Sequence, residues 1–246
     1  MLTPQVIREA TSFAFNNAIL KNEKIIAYNL IGTSIINKCN LNNCLIDTYR
    51  DHGSHSRIEV LNGKVVNSLF KIDGDLLLFE NFIENSVLNS KGKLHIKNGV
   101  LQDSFIRLNS GISLQLDGVE SRSIDIDNTG ERLSEFSIKG LLVDCVLRGL
   151  VTFSGIVNAI IYSSVLRSCF FENTSFESTV INKCNLQRVV FMNCNLKNIT
   201  FSHCNIVERP LVLEGCDVTG ARFLNIPKGT VNFINCYGAE KVHFIK

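Results

Sequence analysis

Long apolar runs are missing from this 246-residue chain. None approaches the roughly 18 residues that a membrane helix needs, so no transmembrane span is expected. The first twenty residues lack the ordered charged, apolar and small-residue segments of a signal peptide, which predicts a non-Sec protein. An excess of charge is missing too. Lys and Arg total 25 against 23 Asp and Glu, a net charge of +2. That balance gives neither the basic footprint of a nucleic-acid binder nor an acidic imitation of nucleic acid. The nine cysteines include no pair separated by only two residues, the close spacing most typical of structural zinc sites. An odd number of thiols, in a chain long enough to fold without staples, predicts reduced cysteines in a reducing, cytoplasmic setting. What remains is ample core material: 45% of residues are apolar and 20% charged, near the globular average. The length suits one elongated domain spanning residues 1–246.

The dominant pattern is a period of five. Stepping from Ile156 gives Ile161, Leu166, Phe171, Phe176, Ile181, Leu186, Phe191, Leu196, Phe201 and Ile206, all large and apolar. Chance would produce such a column roughly once in several thousand registers at this composition. Two residues after each centre the column is polar throughout, from Asn158 and Ser163 to His203 and Glu208. Two residues before, it is mostly small, with Ser164, Cys169, Thr174, Thr179, Cys184, Cys194 and Cys204. A second tract centred on Ile31, Ile36, Leu41 and Ile46 obeys the same rule, and the residues from Ile36 to Leu41 recur verbatim from Ile181 to Leu186. A five-residue period suits neither an α-helix nor a flat strand, but a coil that turns a corner every five residues buries one column. The eleven centres are therefore expected to form a structural ladder inside a stack of coils.

The triplets Cys184-Asn185-Leu186, Cys194-Asn195-Leu196 and Cys204-Asn205-Ile206 resemble the pentapeptide-repeat family, whose motif runs small residue, Asn or Asp, Leu or Phe, then two polar residues. The resemblance implies an all-β fold, a right-handed parallel β-helix with four pentads per coil. The chain departs from the motif where Val189 and Ile199 occupy the small column and where Ile160, Val165, Phe170 and Val180 precede the centre.

The rest of the chain is read around this frame. Thr3-Pro4 followed by Ile7, Ala10, Phe13, Ala14 and Ala18 at helical spacing predicts a capping α-helix over residues 3–22. Residues 29–48 form the first pentapeptide tract and 154–208 the regular one. Between them, residues 51–149 alternate in short runs such as Ile124 and Ile126, punctuated by Asn62-Gly63, Asp73-Gly74 and Asp117-Gly118. These read as irregular coils of the same β-helix, with a separate β domain as the alternative. After Arg209-Pro210 the register slips by two and resumes at Leu213, Val218 and Phe223, and residues 209–246 supply the C-terminal coils and cap. Val231 with Phe233 and Val242 with Phe244 suggest strands at an open end, where a homodimer through the C-terminal end is one expectation.

No catalytic, cofactor or metal site is expected. Seven cysteines (Cys39, Cys44, Cys169, Cys184, Cys194, Cys204 and Cys216) fall in the small inward column and read as compact core filler. Cys184 and Cys204 stand one coil apart, about 4.8 Å, where a disulfide wants Cβ atoms about 3.8 Å apart. Asp51-His52-Gly53-Ser54-His55 reads as a solvated loop, with a metal or proton-shuttle role as the sharper alternative. His203 lies outward beside inward Cys204 and cannot serve it as a base. Asp125 and Asp127 share one side of a strand, as solvent-facing carboxylates commonly do, although β-helical polysaccharide lyases and hydrolases do need converging carboxylates. A calcium loop beginning at Asp125 fails because its twelfth position is Phe136.

The leading reading is a non-enzymatic protein-interaction scaffold with a protein partner and with neither nucleic acid nor membrane as partner. The resemblance raises two alternatives. One is a DNA-mimicking protein that binds a type II topoisomerase such as gyrase. The three acidic and four basic residues between Ser154 and Glu208 argue against it. The other is a bacterial effector, or the substrate-recognition module of one, exported without a Sec signal.

Overall fold

The computed structural model describes residues 3–8, 12–28, 30, 32–49, 56–108, 113–128, 133, 135–152 and 155–246. Ile31 and Ser154 of the pentad columns, and the segment from Asp51 to His55, lie outside the described residues. Among those described, every strand pairs in parallel with strands one coil away, and one wall alone stacks eleven strands. The chain is an all-β parallel solenoid. Each coil advances by about one strand spacing, 4.8 Å, so backbone groups bond to the coils above and below and side chains alternate between interior and solvent.

The coil changes shape along the rod. Phe70 stands beside Leu88 and Leu88 beside Ile106, eighteen residues per coil. Such a coil has three strands, for example Asp75–Phe79, Phe82–Glu84 and Val87–Ser90. At Val151–Thr152 a further wall begins, carried on by Phe170–Glu172, Val190–Met192, Leu211–Glu214 and Val231–Ile234. In the regular tract Leu166, Leu186 and Ile206 align at twenty residues, the four-pentad coil. The slip after Pro210 makes the next coil two residues longer, from Phe191 to Leu213, and Leu213, Val218 and Phe223 are fully buried.

The polar column is what bends the chain. Ser163, Ser168, Asn173, Ser178, Lys183, Arg188, Asn193, Asn198, His203 and Glu208 all have φ between 47° and 70°. Left-handed backbone reverses the alternation of side chains at each corner, so centres five residues apart, which would face opposite ways along an unbroken strand, both point inward. The small column is inward as well. Its hydroxyls and thiols donate to carbonyls at the corner and on the previous coil, as in Thr179 Oγ1 to Val157 O (2.7 Å) and Ser164 Oγ to Tyr162 O (2.9 Å).

The same parity turns the first member of the expected ladder outward, against expectation. Ile156 is 51% exposed, while Ile161, Leu166, Phe171, Phe176, Ile181, Leu186, Phe191, Leu196 and Phe201 are buried and Ile206 is half-buried. Ile156 lies in the straight eight-residue strand Gly155–Tyr162, where Val157, Ala159 and Ile161 point inward and Ile156 and Ile160 outward. The corner at this position is present three coils earlier at Asn98 (φ 51°), continues at Gly118 (φ 65°) and Gly140 (φ 139°), and is gone in Gly155–Tyr162. It returns at Ser178 (φ 59°).

The capping helix over residues 3–22 is also corrected. The segment forms strands Thr3–Arg8, Ala14–Asn16 and Ile19–Lys21. Its helical spacing competes with a five-residue series, Phe15, Leu20 and Ile25, which stacks on Ile36, Leu41 and Ile46. Pairing satisfies the open edge of the next coil, which a helix laid across it would not. Pro4, without an N–H, fits Thr3–Arg8, which among the described residues pairs on one side only, with Glu23–Tyr28. At the other end, Val231–Ile234 and His243–Ile245 each pair with the preceding coil.

Aromatic rings fill the C-terminal interior. Phe171 and Phe191 stack at 5.2 Å, Phe176 meets both edge-on at 4.9 Å, and Phe201, Phe223 and Phe244 continue the stack at 5.1 and 4.9 Å. Among the described residues no helix is long and apolar enough to cross a membrane.

Candidate functional site

With the interior closed, the surfaces left for function are the walls and the two ends. The thiols are the first chemistry to place. Cys39, Cys44, Cys145, Cys169, Cys184, Cys194, Cys204 and Cys216 are buried, Cys236 is half-buried, and all nine are free. Cys145 and Cys236 join the inward seven although they fall outside the strict period, because irregular coils shift the register between tracts. Each thiol works as a donor: Cys194 Sγ lies 3.3 Å from both Phe171 O and Met192 O, and Cys204 Sγ 3.3 Å from Ile181 O. Burial pushes the Cys145 thiol up to about 11 and Cys169 up to about 12. Hydrogen bonding within the stacked pairs raises the Cys184 and Cys216 thiols, with burial adding to the effect, and lowers their partners Cys204 and Cys194 against the opposing effect of burial.

Burial predicts unreactive thiols, and the raised Cys145 and Cys169 thiols predict an alkaline limit to stability. Iodoacetamide at neutral pH should modify Cys236 first and the buried eight only on unfolding; rapid labelling of all nine in the native protein would contradict the burial. A thiol whose folded pKa lies above its unfolded value of about 8.5 adds stability that is intact below that value and lost as pH rises through the folded one. Denaturant midpoints should hold to about pH 8 and fall between about pH 9 and 12. A midpoint flat across that window would refute the assignment.

His203 points outward at its corner, with Nδ1 2.7 Å from Ser202 Oγ and Nε2 2.6 Å from Asn225 Nδ2, so both ring nitrogens are engaged away from Cys204. Asp125 and Asp127 lie outward on Asp125–Asn128, as alternation requires. Arg148 Nη2 binds Asp125 Oδ2 at 3.0 Å. Desolvation raises the Asp125 carboxyl, with Asp127 adding and Arg148 opposing. An arginine on the first carboxylate, and a second carboxylate beside it on the same strand, give a charged surface pair rather than two acids facing each other across a substrate.

Charges also meet between coils. Arg188 Nε lies 2.6 Å from Glu208 Oε2, the pair that twenty-residue stacking requires. The same register sets Glu177 over Lys197, since Phe176 N–H bonds to Asn195 O and Ser178 N–H to Lys197 O. Lys197, however, turns to the following coil and binds Asp217 Oδ2 at 3.2 Å, while Glu177 accepts from Asn195 Nδ2 at 3.2 Å. Such exposed pairs contribute about 0 to 1 kcal/mol each and mark register more than stability. Sequence reasoning missed the outer face of the wall that runs through Phe70, Leu88 and Ile106. There Leu69, Val87, Phe105, Asp125, Val146 and Val165 stack in one outward column. The signal was available as an apolar residue immediately before each inward centre of this wall from Phe70 to Leu166 except Ile126, which Asp125 precedes.

A family model for pentapeptide repeats matches residues 162–206, with eight copies. No curated protein matches the chain. Among solved structures, QnrB1, a plasmid-mediated fluoroquinolone resistance protein, is 11% identical over 92% of this chain and 91% of its own, with a TM-score of 0.35. HetL, a pentapeptide-repeat protein involved in heterocyst differentiation regulation from the cyanobacterium Nostoc sp. strain PCC 7120, is 13% identical over 88% of this chain and 84% of its own, with a TM-score of 0.31. A hyper-glycosylated TibA fragment is 11% identical over 97% of both chains, with a TM-score of 0.37.

Proposed function

We propose that this chain, which carries pentapeptide repeats through residues 162–206, is a non-enzymatic scaffold whose outer walls hold a protein partner. One observation carries the reading. The interior is filled by apolar side chains, most of the small hydroxyls and thiols within it are bonded to backbone at the corners and on the neighbouring coils, and recognition is left to long walls. A parallel stack keeps those walls rigid, because each coil is hydrogen-bonded on both sides. The test is affinity capture by the full chain from bacterial and from host lysates, followed by reconstitution with the purified partner. A defined complex supports the scaffold. Turnover on a panel of glycans would replace it with an enzyme, and inhibition of gyrase supercoiling at low micromolar protein would identify the partner as a topoisomerase.

A homodimer through the C-terminal end forms part of the same proposal. The last coil exposes Tyr237 (68%), Ile245 (50%) and Ile234 (40%) beside the half-buried Phe233 and Phe244. Apolar side chains at an unpaired strand edge favour self-association. Sedimentation should give twice the monomer mass for the native chain and the monomer mass for Tyr237→Lys; a native monomer at high micromolar concentration would discard the dimer.

A further inference from the structure

A pocket of about 290 Å³ opens on the wall of Phe70 and Leu88, beside the outward column of Leu69 and Val87. Three successive coils supply its polar lining two residues at a time: Asp47 and Tyr49, Lys71 and Asp73, Asn89 and Lys91. That arrangement spans about 10 Å along the rod and about 7 Å across it. One side is an aromatic ring. Tyr49 stacks on Tyr28, its partner in the preceding coil, with ring centres 5.3 Å apart and planes 18° from parallel. This separation is close to one coil spacing, so the rings stack along the rod, and the face of Tyr49 opposite Tyr28 looks toward the coil of Lys71 and Asp73. The residue is 48% exposed.

Asp47 is the buried group of the site, only 6% exposed. Tyr49 Oη donates to its Oδ2 at 2.8 Å, which fixes the ring, and this is the one hydrogen bond of the Asp47 side chain among the described residues. Lys71, its neighbour in the following coil, forms no ion pair with it. A carboxylate offers about four acceptor positions, and one donor leaves a buried one short of partners. Asp73 is engaged, with Lys91 Nζ 3.0 Å from its Oδ2. The lining decides the class of ligand. A cation would meet Lys71 and Lys91, an anion would meet Asp47 and Asp73, and like charges brought together are costly. Carboxylates accept, ammonium groups donate and an amide does both, so the complement is a neutral molecule whose groups donate and accept from the same atom, as hydroxyls do. The Tyr49 face is the negative side of a quadrupole and takes the weakly positive C–H groups of a saturated ring.

We propose that this pocket binds one neutral pyranose ring of a glycan. The C–H face of the sugar packs against Tyr49, its hydroxyls donate to Asp47, and neighbouring hydroxyls accept from Lys71 and Asn89. The clamp from Tyr49 to Asp47 sets the ring and the carboxylate in place before the sugar arrives, so little is lost in ordering them. A sugar held here leaves the other walls and both ends of the rod open, and its binding is scored independently of any protein partner.

The experiment titrates the full chain with glucose, galactose, mannose and N-acetylglucosamine, read by saturation-transfer NMR and calorimetry, with cationic glucosamine, anionic glucuronate and the flat ring of adenosine as controls. At least one neutral sugar should bind with a Kd of about 1 mM, the range open to so small a ligand, and the three controls should bind at least about fivefold more weakly. Tyr49→Leu and Asp47→Asn should each weaken that sugar about tenfold, and Tyr49→Phe, which keeps the ring and loses the clamp, about threefold. Tyr162→Leu on another wall should leave it unchanged. Thermal melts confirm that each variant folds, and Tyr49, half exposed, can be replaced without disturbing the core. No binding of any neutral sugar up to about 20 mM, tighter binding of glucosamine, glucuronate or adenosine, or an affinity that survives both Tyr49→Leu and Tyr49→Phe would overturn the proposal. A protein captured from lysate by a chain that binds no sugar would remove this site and leave the scaffold standing.

Discussion

Phe191→Ala is expected to destabilise the protein by about 3 to 5 kcal/mol, and Leu196→Ala by about 2 to 5 kcal/mol. Phe191 is fully buried, stacks on Phe171 at 5.2 Å, meets Phe176 at 4.9 Å and approaches Phe201 at 6.1 Å. Removing the ring takes away its own burial and leaves a cavity among three others that are fixed by the corners of their coils. A solenoid cannot close such a gap by sliding one element, because each coil is registered against two neighbours. Ile156→Ala supplies the contrast. The same column assigns it an equal place, but its side chain faces solvent, and the cost should stay within about 0.5 kcal/mol. Equilibrium urea unfolding of the three variants measures this directly. Similar losses at positions 156 and 191 would mean that Ile156 is inward after all and that the straight strand is wrong.

The second large effect is expected from backbone and not from packing. Gly140→Ala should cost about 2 to 5 kcal/mol, combining a strained backbone with forced overpacking. Gly140 has φ 139°, where an L residue is strained, and a Cβ built there would lie 2.3 Å from Val119 O and 3.0 Å from Val119 N. Both atoms belong to the backbone of the coil below, so no side chain can rotate away. The register between the two strands shifts at this place, between Asp117 and Val119, which is how the corner at Asn98 is converted into the straight strand at Gly155–Tyr162. Thermal melts of Gly140→Ala and of Gly229→Ala, whose Cβ would meet nothing within 4 Å, should separate by many degrees. Equal melting temperatures would show that the coils can part at Gly140 without loss.

Local sequence dictates the coil wherever each corner takes one residue. From Ile161 to Phe201 a large centre and a polar corner repeat without interruption, with an inward neighbour that is small except at Val189 and Ile199, and local chemistry suffices because the corner resets the parity of the strand every fifth residue. The slip of two after Pro210 is legible for the same reason, since Leu213, Val218 and Phe223 resume the step. Where two local patterns compete, pairing between coils makes the choice. Residues 3–22 carry both a helical and a five-residue spacing, and pairing with Glu23–Tyr28 and with the coil of Ile36 and Leu41 selects strands. Ile156 carries the pentad signal, but the straight strand in which it sits turns it outward. The stripe around Asp125 was hidden for a different reason. Its members are eighteen to twenty-one residues apart, and only the varying coil length brings Leu69, Val87, Phe105, Asp125 and Val146 into one column. Periodicity along a chain reports which way a side chain points within its own turn. Which side chains become neighbours across turns depends on how many residues each coil consumes, and hydrogen bonding between coils sets that number.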